Sequence, residues 1–321
     1  MKAIRVHHTG EPEEMRLEEV PDLSPGPNQV VVRVEAVGVN PVETYVRAGK
    51  YPIKTPLPYT PGSDGAGTIL SVGEGVSSVN IGDRVFIARS LSGTYAEQTL
   101  CEADFVFRLP DNVSFDQGAA LGVPYATAHR ALFGKANAKK GESAFIHGAT
   151  GGVGVAAIQL ARAAGLTVGG SAGTPSGERF LSSLGLKYTT NHNAQNYLSD
   201  VIGMTCGGGF DIILEMLANQ NLSRDPDILA PFGRIVVIGN RGTTEVNPRD
   251  WMSKDATIYA MTLFNVPREE LRSIYGSIVQ GLERGELKPV IDPRSFALKE
   301  APAAHRAVVE AGSHGKIVLK P

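Results

Sequence analysis

Cysteines, long apolar runs and an excess of one charge are scarce or missing in this sequence, and each shortage excludes a class of protein. The 321 residues include only Cys101 and Cys206, which cannot build a disulfide framework and suit a reducing compartment. No apolar run approaches the roughly 20 residues of a membrane span. The formal net charge of −2 gives no general attraction to nucleic acid or anionic lipid. Because residues 1–6 alternate like a strand and lack a signal-peptide core, a cytoplasmic location without a membrane partner is expected.

What the sequence does contain is a glycine-rich turn between a strand-like run and a helix-like run. The apolar residues 144–146 lead into Gly-Ala-Thr-Gly-Gly-Val-Gly at 148–154, and a helix-forming run continues to Arg162. Aligned with the pattern G-x-G-x-x-G, the three glycine positions are Ala149, Gly151 and Gly154. Strand, tight turn and helix N-terminus in this order are typical of a site for the pyrophosphate of a dinucleotide.

An acidic residue is missing at the place that would select NADH. In NAD-binding units an Asp or Glu about 20 residues past the glycines accepts hydrogen bonds from the ribose 2′-OH. Here the second strand, near 166–171, runs into Ala172-Gly173-Thr174 without a carboxylate, and Arg179 follows. A guanidinium binds a 2′-phosphate through charge-assisted hydrogen bonds. The sequence therefore predicts NADPH as the cofactor, although Arg179 alone is equally compatible with a solvated helix arginine.

The pattern of strands and helices divides the chain into two regions. Residues 1–113 read as β-rich, with strands near 29–37, 67–72, 83–88 and 95–100 separated by Gly and Pro clusters. From 143 to 263, strands near 143–148, 166–171, 210–215, 234–239 and 257–263 alternate with helical stretches. This alternation predicts an α/β fold with a doubly wound parallel sheet. An amphipathic helix at 268–287, a helix near 299–311 and a strand at 316–319 follow.

Several sequence blocks resemble the medium-chain dehydrogenase/reductase superfamily, and within it the quinone oxidoreductase branch and its zeta-crystallin group. The blocks are Gly38–Arg47, Pro58–Asp64, Gly82–Val85, His147–Gly154, Glu215–Asn219 and Asn247–Asp250. The resemblance implies a GroES-like β-rich catalytic domain and a Rossmann dinucleotide-binding domain. It places the catalytic domain at 1–125 and 264–321, so that the C-terminal segment returns to it, and the Rossmann domain at 126–263.

The sequence departs from the zinc-dependent alcohol dehydrogenase branch at both places that would supply metal ligands. Where that branch has a zinc cysteine this chain has Gly38-Val39-Asn40, and where it has Gly-His-Glu this chain has Gly62-Ser63-Asp64. Two cysteines cannot supply the four-cysteine structural lobe, and the seven histidines show no ligand spacing. No metal is therefore expected.

Without a Lewis acid the chemistry has to come from the cofactor, and a hydride donor reacts best with an acceptor that is already electron-poor. The resemblance implies that the protein positions NADPH in the cleft between the domains. A quinone is the expected substrate, with one-electron steps to a semiquinone as an option in the zeta-crystallin group. An NADPH-dependent 2-alkenal or enone reductase on the same fold remains open as an alternative. So does a cofactor-binding structural or RNA-binding protein, because neither role requires losing the cofactor site.

The resemblance also assigns residues to the site. Residues expected to bind the cofactor, from the pyrophosphate to the nicotinamide, are Thr127, Thr150, Gly151, Gly152, Val153, Gly173, Arg179, His192, Asn221, Ile238, Gly239, Asn240, Arg241, Met261, Thr262 and Leu263. Tyr45 is expected to contact the nicotinamide end, and Tyr45 and Asn40 are the candidates facing the substrate. No residue is assigned as general base or nucleophile. The superfamily usually pairs nucleotide domains edge to edge, so a homodimer or homotetramer is expected.

Plainer interpretations of several of these residues stay open. Tyr45 is also consistent with a half-buried core phenol, and Asn40, which precedes Pro41, with a turn residue. His192 is also consistent with a surface loop imidazole. Ile238 and Gly239 occupy a strand end that any doubly wound fold would contain.

Overall fold

The computed structural model describes residues 1–52 and 55–321, and the chain forms two compact units. The first comprises Met1–Val123 and Glu269–Pro321, and the second comprises Pro124–Arg268. The Rossmann domain predicted from the sequence, 126–263, is a slightly narrower range than the second unit. None of the helices in the described part of the chain combines the length and the apolar character needed to cross a bilayer.

The described residues form fifteen strands and ten α-helices. The strands are β1 Lys2–Val6, β2 Met15–Glu19, β3 Gln29–Gly38, β4 Asp64–Val72, β5 Arg84–Ile87, β6 Gln98–Glu102, β7 Val106–Arg108, β8 Ser143–Ile146, β9 Thr167–Ala172, β10 Tyr188–Asn191, β11 Phe210–Glu215, β12 Leu229–Val237, β13 Thr257–Ala260, β14 Ile291–Ala297 and β15 Lys316–Lys320. The helices are α1 Pro41–Arg47, α2 Phe115–Gly118, α3 Gly122–His129, α4 Gly152–Ala163, α5 Pro175–Ser183, α6 Tyr197–Met204, α7 Ala218–Asn221, α8 Pro248–Met252, α9 Arg268–Glu283 and α10 Ala301–Ala307. A π-helix, Arg130–Lys135, continues α3, and short 3₁₀ turns occupy Pro12–Glu14, Ala103–Phe105, Asp225–Ile228, Leu263–Asn265 and Leu298–Glu300.

The first unit is built on a seven-stranded sheet and a separate antiparallel pair, β1 and β2. The sheet order is β14-β15-β3-β4-β5-β7. Outside this order, β6 pairs with residues 29–33 of β3. β3 pairs with both β4 and β6, and most of its residues are buried, as expected for the strand at the centre of a small barrel-like unit. Gly67 on β4 has to be glycine, because a Cβ there would lie 1.9 Å from the carbonyl oxygen of Arg33.

The second unit is a six-stranded parallel sheet in the order β10-β9-β8-β11-β12-β13. Numbered within the unit, this order is 3-2-1-4-5-6, that of a dinucleotide-binding doubly wound sheet. The α/β class with a doubly wound sheet, predicted from the sequence, is confirmed. The strand order reverses between β8 and β11, and ligands of such folds bind in the crevice outside the carboxyl ends of those two strands.

The residues of the parallel strands explain why the sheet forms. A hydrophobic cluster contains Trp251 and the fully buried residues Phe145, Phe210, Ile213 and Ile235. Nearly continuous apolar runs are typical of parallel strands in a sheet that is covered on both faces. Among the parallel strands, β10 was not predicted, the strand predicted at 234–239 begins earlier, at Leu229, and the strand predicted at 257–263 ends at Ala260. In the first unit, β2 and β7 were not predicted.

Candidate functional site

The carboxyl ends of the parallel strands bring together most of the predicted cofactor residues. The glycine loop (residues 148–151) follows β8, Gly173 follows β9, and Asn221 lies on α7 just beyond β11. Ile238 and Gly239 follow β12, and Met261 follows β13. All of these positions are at the same edge of one parallel sheet, which is the edge where α/β folds bind ligands.

The amino end of α4 has the properties of a pyrophosphate site. The helix begins at Gly152 after the N-cap residue Gly151, and no side chain caps its first amides. A Cβ built on Gly151 would have no heavy atom closer than the Gly148 carbonyl oxygen at 3.9 Å, so the space above the loop is open. At Gly154, by contrast, a Cβ would lie 2.5 Å from the Ala149 carbonyl oxygen. Uncapped amides and the positive end of the helix dipole favour a bound phosphate.

The end of β9 has no carboxylate and carries a potential phosphate site. Gly173 and His192 are adjacent, since a Cβ on Gly173 would lie 3.0 Å from Nε2 of His192. Arg179 is exposed on α5 and makes no hydrogen bond or ion pair with the part of the chain that the structure describes. Burial, followed by the charge of His147, lowers the pKa of His192 below its usual 6.5. His192 would therefore meet a ligand as a neutral imidazole, and Arg179 is the cation available to a phosphate.

The other predicted cofactor residues are held by contacts within the second unit. Gly239 permits a close backbone approach, since a Cβ there would lie 2.2 Å from the Met216 carbonyl oxygen. Arg130 donates a hydrogen bond of 2.6 Å to the carbonyl oxygen of Thr262 and thereby fixes the segment after β13. Thr127 is buried on α3. The Asn240 amide donates to the Gly242 carbonyl oxygen at 2.6 Å.

Three ionisable side chains of the second unit form a buried group that the sequence analysis did not predict. We call His147, Glu215 and Asp225 the histidine cluster. Nε2 of His147 is 2.9 Å from Oδ1 of Asp225 and 3.5 Å from Oε2 of Glu215, and the exposed fraction of each residue is 2% or less. One potential ligand atom from each residue lies within 4.8 Å of the others, close enough to hold one ion.

The environment of the histidine cluster shifts its pKa values. Burial alone would lower the pKa of His147, but the hydrogen bond and charge of Asp225 and the charge of Glu215 outweigh it, so the pKa is raised above 6.5. Burial raises the pKa of Glu215 to about 7, against the opposing charge of His147. The imidazolium paired with Asp225, together with a Glu215 that gains or loses a proton near neutrality, is the arrangement these shifts favour.

The first unit contains a second buried polar group, formed by Asn40, Glu43, Asp64, Tyr95 and Lys316, which we call the lysine cluster. Nζ of Lys316 donates to Oδ1 of Asn40 at 2.6 Å and to Oδ2 of Asp64 at 2.7 Å. The Asn40 amide nitrogen donates to Asp64 at 2.9 Å and to Glu43 at 3.2 Å. The Tyr95 hydroxyl donates to Glu43 at 2.7 Å.

Comparison with known proteins agrees with this architecture along the whole chain. Residues 26–111 match the family model described as "Alcohol dehydrogenase GroES-like domain", and residues 152–280 match "Zinc-binding dehydrogenase". The human protein named "Quinone oxidoreductase" is 45% identical over 321 residues, which cover 99% of this chain and 97% of that protein. The chain belongs to the quinone oxidoreductase family. The resemblance inferred from the sequence is thereby confirmed, as is the pairing of a GroES-like with a Rossmann domain.

Solved structures extend the comparison to the coordinates. An Escherichia coli quinone oxidoreductase complexed with NADPH superposes with a TM-score of 0.90 at 28% identity, with both chains fully covered. An NAD-dependent alcohol dehydrogenase superposes with a TM-score of 0.94, also at 28% identity and full coverage. Members with different cofactors and substrates therefore share this fold, and the side chains at the strand ends have to distinguish them.

The zinc named by one family description does not fit the residues of this quinone oxidoreductase family member. The two blocks that would supply catalytic ligands do meet, because Asn40 contacts Asp64. The ammonium of Lys316, which is 3% exposed, donates hydrogen bonds to both side chains. Asn40, Asp64 and Lys316 include no histidine or cysteine, which a catalytic zinc site normally uses as ligands. A buried cation of the protein itself occupies the polar centre at these blocks.

The two residues predicted to face the substrate differ in their surroundings. Asn40 is 3% exposed, and both ends of its amide are engaged within the lysine cluster. This placement gives Asn40 a structural role and does not support contact with a substrate. Tyr45 is half-buried on α1, and its contact with the nicotinamide stays a prediction.

Proposed function

We propose that this chain is a quinone reductase that uses NADPH. The observation that carries the proposal is the end of β9, where no carboxylate opposes a 2′-phosphate, Gly173 and His192 are adjacent, and Arg179 is exposed on the next helix, α5. The uncapped amino end of α4 supplies the amides for the pyrophosphate. The name shared by the full-length relatives, "Quinone oxidoreductase", supports a quinone as the acceptor.

The residues of the second unit would bind and orient the cofactor. Backbone amides of Gly152 and Val153 would hold the pyrophosphate, and Arg179 would hold the 2′-phosphate with a charge-assisted hydrogen bond. Bound NADPH would supply the hydride. A quinone is an electron-poor acceptor that needs no polarisation of its oxygen by a metal, which suits a chain whose polar centre at the zinc blocks is filled by Lys316.

The direct test is acceptor-dependent oxidation of the reduced nicotinamide, followed by its near-ultraviolet absorbance. An ortho-quinone, a para-quinone and a short 2-alkenal are each compared with NADPH and with NADH. We expect turnover with quinones and NADPH. Turnover with the alkenal alone would assign the enone reductase alternative, and tight NADPH binding without any turnover would assign a binding role.

Arg179→Ala tests the choice of cofactor. We expect the Kd for NADPH to rise by about tenfold, in line with the loss of one charged hydrogen bond, with little change for NADH. Lys139→Ala is the matched control, since Lys139 is an exposed cation before the amino end of β8. Equal losses for both cofactors would remove Arg179 from the phosphate site.

Tyr45→Phe separates quinone reduction from enone reduction. An enone requires a proton delivered to carbon after hydride transfer, and Tyr45 is the candidate donor for that alternative. We expect quinone turnover to fall by less than about tenfold, whereas proton donation by this phenol would make the loss about 10²-fold or more. The measurement is kcat for both acceptors in the variant and in the wild type.

The exposed edge of the parallel sheet supports a homo-oligomer. β13 is the last strand in the sheet order, and its residue Ile258 is 44% exposed. Phe232 on the neighbouring strand β12 and Met252 on α8 are 72% and 73% exposed. Pairing of two β13 edges would cover unpaired backbone groups and apolar side chains. Sedimentation of the wild type and of Ile258→Lys tests this, and an unchanged oligomer in the variant would contradict it.

A cytoplasmic location is part of the same proposal. Cys101 and Cys206 are both free thiols, and Cys206 is exposed, as suits a reducing compartment. Fractionation of cells that produce the protein tests the location.

A further inference from the structure

The histidine cluster lies at the point where the order of the parallel strands reverses. His147 directly follows β8, Glu215 is the last residue of β11, and these two strands are neighbours in the sheet. Doubly wound folds bind their ligand outside the carboxyl ends of this pair of strands. The cluster is thus placed beneath the predicted cofactor position, although its three side chains are buried and cannot contact the cofactor themselves.

The histidine cluster is connected to two segments of the cofactor site, to one along the chain and to the other by hydrogen bonds. His147 is followed directly by the glycine loop (148–151), so the position of its ring constrains the start of that loop. Oε1 of Glu215 accepts hydrogen bonds from the backbone amide of Leu217 and, at 3.2 Å, from the Asn221 side chain. The position of the segment 216–221 after β11 therefore depends on Glu215. Asp225, four residues beyond this segment, links it to the histidine ring, because Oδ1 of Asp225 is 2.9 Å from Nε2 of His147.

The cluster retains polar atoms that an element serving stability alone would not need. Nδ1 of His147, Oε2 of Glu215 and Oδ2 of Asp225 have no hydrogen-bond partner within residues 1–52 and 55–321. Unpartnered polar atoms in a buried site cost free energy, and apolar residues of similar volume are often as stable or more stable there. A cost of this kind at a ligand-binding crevice indicates a role in function.

We propose that the histidine cluster is a positioning group for the dinucleotide, which holds the glycine loop and the 216–221 segment in register through the charged His147–Asp225 pair. This inference rests on the proposed use of NADPH. Three further groups face the cluster. Arg224 opposes the charge of His147, and Tyr197 lies beside Arg224. The charge of His147 also lowers the pKa of His192, which directly follows β10.

The proposal predicts a pH dependence of cofactor affinity with a definite sign. Asp225 and Glu215 raise the pKa of His147 despite its burial, so the imidazolium persists above its ordinary pKa of 6.5. The charged pair is present at lower pH and is lost as the pH rises through the raised pKa. NADPH affinity should therefore fall on the alkaline side, while NADPH itself keeps the same charge in that range.

Asp225→Asn tests the positioning role, because asparagine keeps the shape and removes the charge. We expect the Kd for NADPH to rise by roughly tenfold, the equivalent of one charged hydrogen bond, with kcat for a quinone changed by less than about threefold. The alkaline fall in affinity should disappear in this variant. Glu142→Gln is the matched control, since it breaks a partly buried ion pair with Arg234 next to the amino end of β8, away from the cofactor edge. Its Kd for NADPH should stay at the wild-type value.

Glu215→Gln is the second variant, and it keeps an acceptor oxygen for Leu217 and Asn221. It removes one of the two charges that stabilise the imidazolium, so the fall in NADPH affinity should move to lower pH. An unchanged Kd and pH profile in both variants, or an equal loss in Glu142→Gln, would overturn the positioning role. Metal analysis showing a stoichiometric ion that both variants lose would also overturn it. Absence of NADPH binding to the wild type would end the proposed function as well, whereas normal quinone reduction with unaffected variants would end this inference alone.

Discussion

The lysine cluster and the histidine cluster both place ionisable side chains in the interior, but they differ in how completely their carboxylate oxygens are hydrogen-bonded. Both bury ionisable side chains, each within its own unit. In the lysine cluster all four carboxylate oxygens of Glu43 and Asp64 accept hydrogen bonds, including those from the backbone amides of Ser63 and Val123. In the histidine cluster one oxygen of each carboxylate has no hydrogen-bond partner among the described residues.

This difference fits a role of the lysine cluster in stabilising the fold and a role of the histidine cluster in positioning the cofactor site. A fully hydrogen-bonded buried ion pair loses stability when either partner is removed, because the other charge is left uncompensated. A partly satisfied group already carries part of that cost, so neutralising the right member relieves it. The two clusters should therefore respond to substitution with opposite signs.

Lys316→Met should produce the largest change. It removes the ammonium that bonds to Asn40 and Asp64, and leaves a buried carboxylate uncompensated, at a cost of about 3–5 kcal/mol in the free energy of unfolding. Urea titration measures this. Lys320→Met on the same strand is the control, because its exposed pair with Asp116 should contribute only about 0–1 kcal/mol. Similar losses in the two variants would erase the distinction drawn for the lysine cluster.

Glu215→Gln should change stability in the other direction. Burial raises the pKa of Glu215 from 4.5 to about 7, so the native state holds this proton more tightly than the unfolded state does. Wild-type stability then falls as the pH rises from 4.5 to about 7 and stays lower above it. The variant lacks this loss, and we expect it to be more stable than the wild type by about 1–3 kcal/mol at pH above about 7, with no gain at acid pH.

Thermal or urea unfolding of Glu215→Gln across this pH range gives the measurement. A variant that is less stable than the wild type at alkaline pH would show that the ionised carboxylate is compensated in the native protein, and the contrast between the clusters would fail.

Tyr95→Phe should give the smallest of the three effects. It removes the hydrogen bond to Glu43, which retains its other donors, and the 3.0 Å hydrogen bond between this hydroxyl and Nε2 of the buried His305, so we expect a loss of about 1–2 kcal/mol. Tyr59→Phe is the matched comparison, because the buried Tyr59 hydroxyl has no hydrogen-bond partner in the described chain. Removal of the Tyr59 hydroxyl should be neutral or slightly stabilising. Equal losses of stability in the two variants would show that the hydrogen bonds to Glu43 and His305 do not account for the effect of Tyr95→Phe.

Local sequence signals predicted the second unit well because they coincide with local physics. The apolar run of β8, the glycine loop and α4 are contiguous, and their pattern requires no knowledge of distant residues. β10, Tyr188–Asn191, was missed because Tyr-Thr-Thr-Asn lacks an apolar run, and its strand conformation comes from pairing with β9. Its case is one in which tertiary context overrides local preference.

The two buried clusters could not be predicted from the sequence for a related reason. Lys316 contacts Asn40 across 276 positions, and nothing near Asn40 distinguishes a residue facing a substrate from a residue facing an ammonium. His147 and Glu215 did stand in sequence blocks that resemble relatives, and polar residues at the ends of buried strands are a usable signal. Asp225, in a 3₁₀ turn 78 positions from His147, carries no comparable signal.

The uncapped amino end of α4 has a consequence for the abundance of the protein. Because no side chain hydrogen-bonds to these amides, a bound ligand can do so, and its binding then stabilises the folded state. A ligand at a hundred times its Kd adds about 2.7 kcal/mol to the free energy of unfolding and reduces the unfolded fraction open to proteases. A cell rich in NADPH would thus accumulate more of this chain at the same rate of synthesis, and oxidation of the pool would shorten its half-life.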